Sequence, residues 1–311
     1  MALHTFAGMD IGVPEPDTLA GFFDEVGLDV APTGEHWGTA DMPEQIRILE
    51  RPFRQLVTMR LGCDDESDLA ETAQRLDRLG VPSSMDDGRL IVPHPGHGWQ
   101  VAVEPTPRRS LTPPDEREIN RPGERGRANV RAEVITESTR RPPRRLAHVV
   151  VGAPDTAAAT TFFTEGIGMK ISDDVGGVAT FMRCSTDHHN LLIQPSGVPY
   201  LNHYALEMDD IDAVGASAGD YLRAHGDERH VVGIGRHTIG ANVFWYMNDP
   251  CGTMFELFSD MDDIPDDDAW EIGTDWTPGE FATWGAAEPP IEFFIPSDID
   301  EIAAGFDAQE G

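Results

Sequence analysis

The feature that most constrains the fold of this chain is an internal repeat. The tripeptide Pro-Asp-Thr at residues 16–18 precedes Phe-Phe-Asp-Glu-Val-Gly-Leu at 22–28, and the same tripeptide at 154–156 precedes Phe-Phe-Thr-Glu-Gly-Ile-Gly-Met at 162–169. In each copy an extended segment meets an Asp that can cap a helix, and the short helix that follows ends at glycine. The repeat predicts two homologous modules in tandem.

A segment of different composition separates the two copies. Residues 106–143 are rich in proline and arginine, and frequent prolines discourage a continuous helix or a central strand. We therefore predict an exposed linker there, between a first module at 1–105 and a second module at 144–262. The remaining residues, 263–311, form a tail that is acidic where it begins.

The charge balance argues against several kinds of partner. Asp and Glu total 55 against 23 Lys and Arg, for a formal net charge of −32. Such a surface repels phosphate backbones and anionic bilayers, so we expect no nucleic acid and no membrane as partner. The chain also has no apolar run long enough to cross a bilayer and no basic signal-like N-terminus, which predicts a cytoplasmic protein. Many carboxylates also suit a salt-rich cytoplasm, and the sequence leaves that alternative open.

A smaller repeat lies inside the second module. Leu-Ala-His-Val-Val-Val at 146–151 and Leu-Asn-His-Tyr-Ala-Leu at 201–206 each lead through aspartate into a helical pattern. Each half is typical of a βαβββ unit, and two such units pair into a half-open barrel of the α+β class. Equivalent positions on paired strands face one cavity, so His148 and His203 are predicted to lie together.

A carboxylate completes this pair of histidines. Gly-Thr-Met-Phe-Glu-Leu-Phe at 252–258 is typical of a strand and sets Glu256 among apolar neighbours. A buried carboxylate is costly unless it holds a proton, a cation or a metal. Two imidazoles and one carboxylate are the ligand set of non-haem Fe(II) oxygenases, in which adjacent coordination positions stay open. We therefore predict a metal site at His148, His203 and Glu256.

Further motifs surround these three residues in a definite order. They are Asp-His-His-Asn-Leu at 187–191, Gly-Arg-His at 235–237 with Tyr246 nine residues after the histidine, and Asp-Pro-Cys-Gly at 249–252 before the glutamate strand. With these motifs the chain resembles the type I extradiol dioxygenases of the vicinal-oxygen-chelate superfamily. The resemblance extends over essentially the whole chain and is strongest from about residue 145 to residue 263.

The resemblance implies a fold, a reaction and a cofactor. The fold would be two tandem vicinal-oxygen-chelate modules, each of paired βαβββ units, and the protein would assemble as a homo-oligomer. His148, His203 and Glu256 would hold Fe(II), and the same ligand types also suit Mn(II). A catechol-type substrate and O2 would meet at the metal, and the ring would open next to the diol to a semialdehyde or keto acid. The tail at 263–311, through Thr-Trp-Gly at 283–285, would cover the site.

The resemblance also implies roles for side chains around the metal. His189 would be the acid–base residue that faces bound oxygen, with His188 as the alternative if the two are misassigned. His237 and Tyr246 would hydrogen-bond the hydroxyls of the bound catechol. The residues expected to contact the substrate are His188, Asn242 and Trp245. Phe181 and Phe258 are expected to line the pocket and shape it.

The first module has the repeat but lacks the ligands. The strand that matches the one carrying His148 offers Gly8, Met9 or Asp10, and residues 56–58 contain no histidine. We therefore expect the first module to support and shape the second module without binding a metal.

Two other functions stay open at this point. A glyoxalase-like isomerase or lyase of the same superfamily could share the fold and the metal ligands, but it has no need for His189, His237 and Tyr246 together. A non-catalytic protein that sequesters a small aromatic compound has no need for a metal triad. Metal content and oxygen uptake would separate these alternatives from a dioxygenase.

Overall fold

Two mixed β-sheets, one for each copy of the repeat, form this protein. The α+β class and the paired βαβββ units predicted from the sequence are confirmed, although both sheets are open in the part of the chain that is described. The structure is a computed structural model, and it describes residues 3–39, 41–114, 118–132, 142–277, 279–285 and 288–310.

The first sheet has eight strands, and two helices belong to it. The strands are β1 (Leu3–Val13), β2 (Asp29–Val30), β3 (His36–Gly38), β4 (Ile46–Glu50), β5 (Gln55–Cys63), β6 (Ser84–Asp86), β7 (Arg89–Pro93) and β8 (Gln100–Pro105), and the helices are α1 (Pro16–Val26) and α2 (Glu66–Leu79). The order across the sheet is β2-β3-β4-β1-β5-β8-β7-β6. β1 and β5 are antiparallel neighbours at its centre, and each pairs in parallel with the last strand of its own unit.

The second sheet repeats this arrangement. A small hairpin, β9 (Asn120–Arg121) and β10 (Glu124–Arg125), precedes it in the chain. Its strands are β11 (Arg145–Ala153), β12 (Lys170–Asp174), β13 (Thr180–Arg183), β14 (Leu191–Pro195), β15 (Tyr200–Glu207), β16 (His230–His237), β17 (Val243–Asn248), β18 (Met254–Ser259) and β19 (Ala282–Trp284). The order is β12-β13-β14-β11-β15-β18-β17-β16-β19. Its helices are α3 (Thr156–Thr161), which continues into a π-helix at Phe162–Ile167, and α4 (Ile211–His225).

The tail contributes structure to the second sheet and touches both modules. β19 adds an edge strand beside β16, and short 3-10 turns at Asp267–Ala269 and Ile291–Phe293 precede the last helix, α5 (Ile299–Glu310). Arg54 of the first module donates to Asp298 at 2.5 Å and to the Leu201 carbonyl of β15 at 2.8 Å. The tail is therefore anchored on both sheets. The module, linker and tail boundaries named above stay predictions.

Most helix ends lie where the sequence predicts them. Asp155 and Asp210 cap α3 and α4 by accepting a hydrogen bond from the backbone N–H three residues later. Gly27 and Gly168, with φ of 89° and 97°, end the two repeat helices in the left-handed region. The predicted cap at Asp17 is wrong, because α1 already begins at the preceding proline, whose fixed φ suits a first helical turn. None of the described helices is both long and apolar enough to cross a membrane.

The phenylalanine pairs of the repeat join the two modules. Phe22 of α1 packs edge-on against Phe255 of β18, with ring centroids 5.2 Å apart. In the reciprocal contact Phe163 stacks on Trp99 of the first module at 5.9 Å. These four side chains are buried in one continuous apolar core. The repeated motif therefore builds the interface between the modules as well as the two local helices.

Candidate metal centre and active site

Three side chains of the second sheet converge on one point. The His148 Nε2 lies 3.0 Å from a carboxylate oxygen of Glu256, and the His203 Nε2 lies 3.4 Å from the same oxygen. One ligand atom of each residue lies within 4.8 Å of the others. No residue of the three is more than 4% exposed. In the described part of the chain this is the cluster of His, Cys, Asp and Glu that could hold a metal ion.

Strand pairing explains why residues so far apart in sequence meet. His148 of β11 is opposite Ala205 of β15, and Ala205 is opposite Glu256 of β18. The imidazole and the carboxylate therefore flank a small alanine in one row across the sheet. His203 lies two residues before Ala205 and is paired with Val150. Because side chains alternate along a strand, His203 faces the same side of the sheet as that row.

The surrounding groups keep Glu256 charged and fix its neighbours. Burial would raise the pKa of Glu256, but the imidazoles of His148 and His203 hold it below its ordinary value. Asn242 donates its amide to the second carboxylate oxygen at 3.0 Å. The His203 Nδ1 lies 2.7 Å from the Asn202 side-chain oxygen, which can only accept, so Nδ1 carries the proton and the Nε2 lone pair faces Glu256. A buried carboxylate beside two imidazoles is a donor set that fits a divalent metal.

A second histidine and a tyrosine stand beside the carboxylate. The His237 Nδ1 lies 3.0 Å from the Phe281 carbonyl, which can only accept a proton. Burial lowers the pKa of His237 to about 4, although Glu256 opposes this shift, so the ring is neutral near pH 7. The His237 Nε2 therefore accepts from the Tyr246 hydroxyl at 2.9 Å. Burial and the Glu256 charge raise the pKa of Tyr246 well above its ordinary value, which keeps the hydroxyl protonated.

The paired histidines at the start of β14 have different environments. His189 lines the cavity, with its ring centroid 4.4 Å from that of His148, and burial together with the other imidazoles lowers its pKa well below the ordinary value. Behind it, the His188 Nδ1 lies 3.0 Å from the His189 Nδ1, and the His188 Nε2 lies 2.8 Å from an Asp173 oxygen. His189 therefore faces the cavity, while His188 is completely buried.

The triad opens onto a cavity of about 830 Å³, measured out to its open mouth. Both the sheet and the tail contribute its walls. No arginine or lysine of the described residues lines it, and the polar groups outside the site are Gln194, Thr277 and Glu280. The apolar wall includes Val150, Val178, Phe181, Leu192, Phe281 and Phe293.

Similarity to known proteins extends over almost the whole chain. Residues 145–257 match the family described as the Glyoxalase/Bleomycin resistance protein/Dioxygenase superfamily. Metapyrocatechase 2 of Cupriavidus necator is 30% identical over 304 residues, which cover 94% of this chain and 92% of the relative. The chain belongs to the type I extradiol dioxygenases of that superfamily.

Solved structures share the fold of this extradiol dioxygenase. Homoprotocatechuate 2,3-dioxygenase from Arthrobacter globiformis matches with a TM-score of 0.75 at 16% identity, over 95% of this chain and 92% of that chain. A Mn(II)-bound glyoxalase from Novosphingobium aromaticivorans matches with a TM-score of 0.70 at 22% identity, over 94% of each chain. At such identities the likeness shows the fold alone. A dioxygenase and a glyoxalase share that fold, so the site rather than the fold determines the chemistry.

Three residues expected at the substrate pocket of this dioxygenase lie elsewhere. Trp245 is 1% exposed in the core, and its indole donates to the His230 Nδ1 at 3.0 Å. The period of two along β17 turns Trp245 away from the cavity that its neighbour Tyr246 lines. His188 is shielded behind the other histidine of its pair, so the expected substrate contact is wrong. Phe258 packs on a triad imidazole at 5.0 Å and does not line the cavity.

Three residues that contact the candidate site were not predicted from the sequence. Asp173 lies in a short strand outside every motif, and its contact with His188 depends on the pairing of distant segments. Phe281 contacts His237 through its backbone carbonyl, and every residue has such a carbonyl, so the residue type does not indicate the contact. Asn202 was the detectable one, because an amide next to a strand histidine can orient the imidazole.

Proposed function

We propose that this extradiol dioxygenase opens the ring of a catechol-type substrate with O2, using Fe(II) held by His148, His203 and Glu256. The Glu256 carboxylate carries this proposal. It is 0% exposed, and its ion-pair partners among the described residues are imidazoles rather than lysine or arginine. A buried anion requires a compensating cation. A divalent metal held by the three residues would supply that charge.

The donor set supports Fe(II) as the metal. Two imidazoles and one carboxylate are the ligand set of non-haem Fe(II) oxygenases, and they would leave coordination positions open for the reactants. When bound, the metal would act as a Lewis acid that stabilises the diol anion and brings both reactants together. Mn(II) suits the same ligands, and the similar glyoxalase structure holds Mn(II). Anaerobic loading of separate samples with each metal compares the two directly.

His189 is proposed as the acid–base residue. It lines the cavity beside the His148 ring, and burial keeps it neutral near pH 7. A neutral imidazole can accept a proton from a diol hydroxyl and return it when the ring opens. Removal of the imidazole is expected to lower kcat by about 100- to 10,000-fold while the metal stays bound.

His237 and Tyr246 are proposed to bind the oxygens of the substrate. Their hydrogen bond at 2.9 Å places an imidazole nitrogen and a hydroxyl side by side, and the His237 Nε2 is 4.0 Å from Glu256. The oxygen of a substrate hydroxyl that enters here can accept the hydrogen bond that Tyr246 donates to His237 when no substrate is bound. Donors fixed in a buried site stabilise developing negative charge without reorganisation, which is the contribution expected of this pair.

The cavity supports a diol without an anionic substituent. Its walls are mainly apolar, no described lysine or arginine lines them, and Glu280 adds a carboxylate. A carboxylated catechol would bury an unpaired charge beside that carboxylate, which is unfavourable. Phe281 and Phe293 of the tail close part of the wall. We therefore propose a catechol with apolar substituents as substrate and the tail as the cover of the site.

The experiment that tests this function is oxygen consumption after anaerobic loading with Fe(II), on a panel of neutral and carboxylated catechols. We expect oxygen uptake matched by a yellow ring-opened product, with the neutral diols preferred. Glu256→Ala and His189→Ala should abolish or strongly reduce it. The half-exposed His225 provides the matched control, and His225→Ala should retain full activity.

The contrary outcomes are equally specific. Stoichiometric metal without oxygen uptake on any diol would instead favour an isomerase or lyase. A preparation that binds neither Fe(II) nor Mn(II) would contradict the triad itself. Preference for carboxylated catechols would leave the reaction in place and refute the proposed substrate class.

A further inference from the structure

A buried chain of hydrogen bonds leads from the cavity into the protein through three side chains. The His189 Nδ1 lies 3.0 Å from the His188 Nδ1, and the His188 Nε2 lies 2.8 Å from Asp173 Oδ2. His188 is 0% exposed and Asp173 is 3% exposed, so water does not compete for these contacts. Only the outer end of the chain, at His189, reaches the cavity.

The chemistry of the donors and acceptors gives this chain a direction. A carboxylate only accepts, so the His188 Nε2 donates to Asp173. In the singly protonated ring, the His188 Nδ1 then has a lone pair and must accept from the His189 Nδ1. A neutral His189 that carries its proton on Nδ1 has its lone pair on Nε2. No described protein group hydrogen-bonds that Nε2, which leaves it available to a ligand in the cavity.

The tail holds the far end of the chain in place. The Gly273 N–H donates to Asp173 Oδ1 at 2.6 Å, so both carboxylate oxygens accept from fixed donors. A Cβ at Gly273 would lie 2.5 Å from that oxygen, so a glycine is needed for the backbone to approach the carboxylate this closely. The Trp270 ring packs edge-on against His188 at 5.5 Å, and its indole donates to the Ser172 carbonyl at 2.9 Å. The carboxylate therefore has neither rotational freedom nor a vacant oxygen.

We propose that Asp173 and His188 are positioning residues that hold His189 in the tautomer with its proton on Nδ1 and its lone pair directed to the cavity from Nε2. The role of His189 in turnover rests on the proposed function, whereas its tautomer does not. The contact differs from a structural hydrogen bond in that it selects which nitrogen can receive a proton from a bound ligand.

The substitution Asp173→Asn tests the direction of the chain. An asparagine has one oxygen and one NH2 group, but both partners of Asp173 are donors. If the NH2 group faces His188, that ring must accept at Nε2 and donate from Nδ1, and His189 must then move its proton to Nε2. In the Ser-His-Asp triad of serine proteases, replacing the Asp by Asn leaves the geometry intact and imposes the wrong tautomer on the histidine. The neighbouring Asp174→Asn is the matched control, because among the described residues the Asp174 carboxylate accepts from Gly176 and Thr180 and does not touch the histidine chain.

The first measurement is the ¹⁵N spectrum of histidine-labelled protein loaded with Zn(II) as a diamagnetic probe, with His189 assigned by its loss in His189→Phe. In the wild type and in Asp174→Asn we expect the proton of His189 on Nδ1. In Asp173→Asn we expect it on Nε2. A wild-type protein with the proton of His189 on Nε2 would overturn the proposal, even if Asp173→Asn fails to fold.

The second measurement separates kcat from KM for the Fe(II)-loaded variants across pH. Asp173→Asn should lower kcat on the order of 100-fold, with unchanged metal content, KM within about threefold of the wild type and a displaced pH profile. An unchanged kcat together with an unchanged tautomer would contradict the proposal. If no diol is turned over but the tautomer inverts as expected, the proposed reaction fails and the positioning role stands.

Discussion

The two modules share one strand plan but differ at the positions where a metal could bind. The row of His148, Ala205 and Glu256 across the second sheet corresponds in pairing to Gly8, Arg60 and Ala102 across the first. By the same register, His203 corresponds to Thr58. The first module therefore has none of the three ligands, although its strands pair in the same way. The fold does not require the site.

The middle residue of each row explains the difference physically. In the second module this residue is a buried alanine, which leaves space for an imidazole on one side and a carboxylate on the other. In the first module Arg60 extends across Gly8, and a Cβ at Gly8 would lie 2.5 Å from its guanidinium and 2.1 Å from the Gln45 carbonyl. Arg60 also lies 3.9 Å from both Asp10 and Glu104. A metal site therefore needs a small residue in the row as well as the ligands.

The largest expected effect comes from removing a ligand in the second module, compared with a substitution at a ligand-equivalent position in the first. Glu256→Ala should reduce bound metal to background and lower activity on the order of 1,000-fold or more, because a Lewis acid contributes several kcal/mol to such a reaction. Thr58→Ala, at the position that corresponds to His203, should keep the metal content of the wild type. Metal analysis by mass spectrometry measures both. Equal loss of metal in the two variants would contradict the prediction that only the second module binds a metal.

The next effect concerns the ion pairs of the two modules. Arg145 is buried and donates to both oxygens of Asp187, at 2.6 and 2.7 Å, and also to Glu207. Asp187→Asn removes one partner of a buried charge and should lower the free energy of unfolding by about 3–5 kcal/mol. Asp10→Asn, which weakens the longer contact to Arg60, should cost less than about 1 kcal/mol. Denaturant titrations measure both losses of unfolding free energy. Equal losses would contradict the expectation that the buried Arg145–Asp187 pair contributes more to stability than the Arg60–Asp10 contact.

This pair also predicts a direction with pH. Burial alone would raise the pKa of Asp187, but Arg145 and its hydrogen bonds hold it below its ordinary value. A carboxyl whose pKa is lower in the folded state stabilises the fold above the unfolded pKa, which is about 3.9. That stabilisation is lost as the pH falls through the folded pKa. The difference in stability between the wild type and Asp187→Asn should therefore narrow only below about pH 4.

A smaller effect is expected from Asn242, whose amide holds Glu256 at 3.0 Å. Residues that orient a metal ligand typically contribute about 10- to 100-fold to affinity. Asn242→Ala should weaken metal binding by that factor without unfolding the protein. Asn248, half-buried at the end of the strand that follows Asn242, is the matched control, and Asn248→Ala should leave the affinity unchanged. Metal competition with a chelator gives both affinities, and an unaffected Asn242→Ala would show that the amide contact is dispensable.

The smallest effect contrasts the buried histidines of the two modules. His94 stacks on His97 with ring centroids 3.8 Å apart, and burial together with His97 lowers the pKa of His94 to about 3. The unfolded chain binds a proton near pH 6.5 and the folded chain does not, so stability falls as the pH drops below 6.5. His94→Phe should remove about 1 kcal/mol of the loss in stability between pH 6.5 and pH 5.5. Thermal melts at both values test this, and an identical pH response in the variant would contradict it.

Much of the site could be predicted from the sequence because its signals are periodic. The Leu-x-His strands repeat, and their antiparallel pairing places His148 and His203 two residues apart in register on the same face of the sheet. Glu256 was detectable because a carboxylate among apolar strand residues needs a partner. The prediction that Trp245 contacts the substrate was wrong because side chains alternate along a strand, so Trp245 and Tyr246 face opposite sides of the sheet. The prediction for His188 was wrong because the segment that precedes β14 is irregular, and the sequence does not show which of two adjacent side chains faces the cavity.

The sequence by itself determined the repeat, its βαβββ units and the residue types of the candidate metal site, because repeats and alternation are local properties of the chain. Only the tertiary structure decided which residues stand behind the triad. Asp173 meets His188 and Gly273 because the tail crosses the second sheet, and Phe281 offers a backbone carbonyl to His237 for the same reason. Contacts of this kind join segments with no common pattern, so their partners are set by the packing of the whole chain.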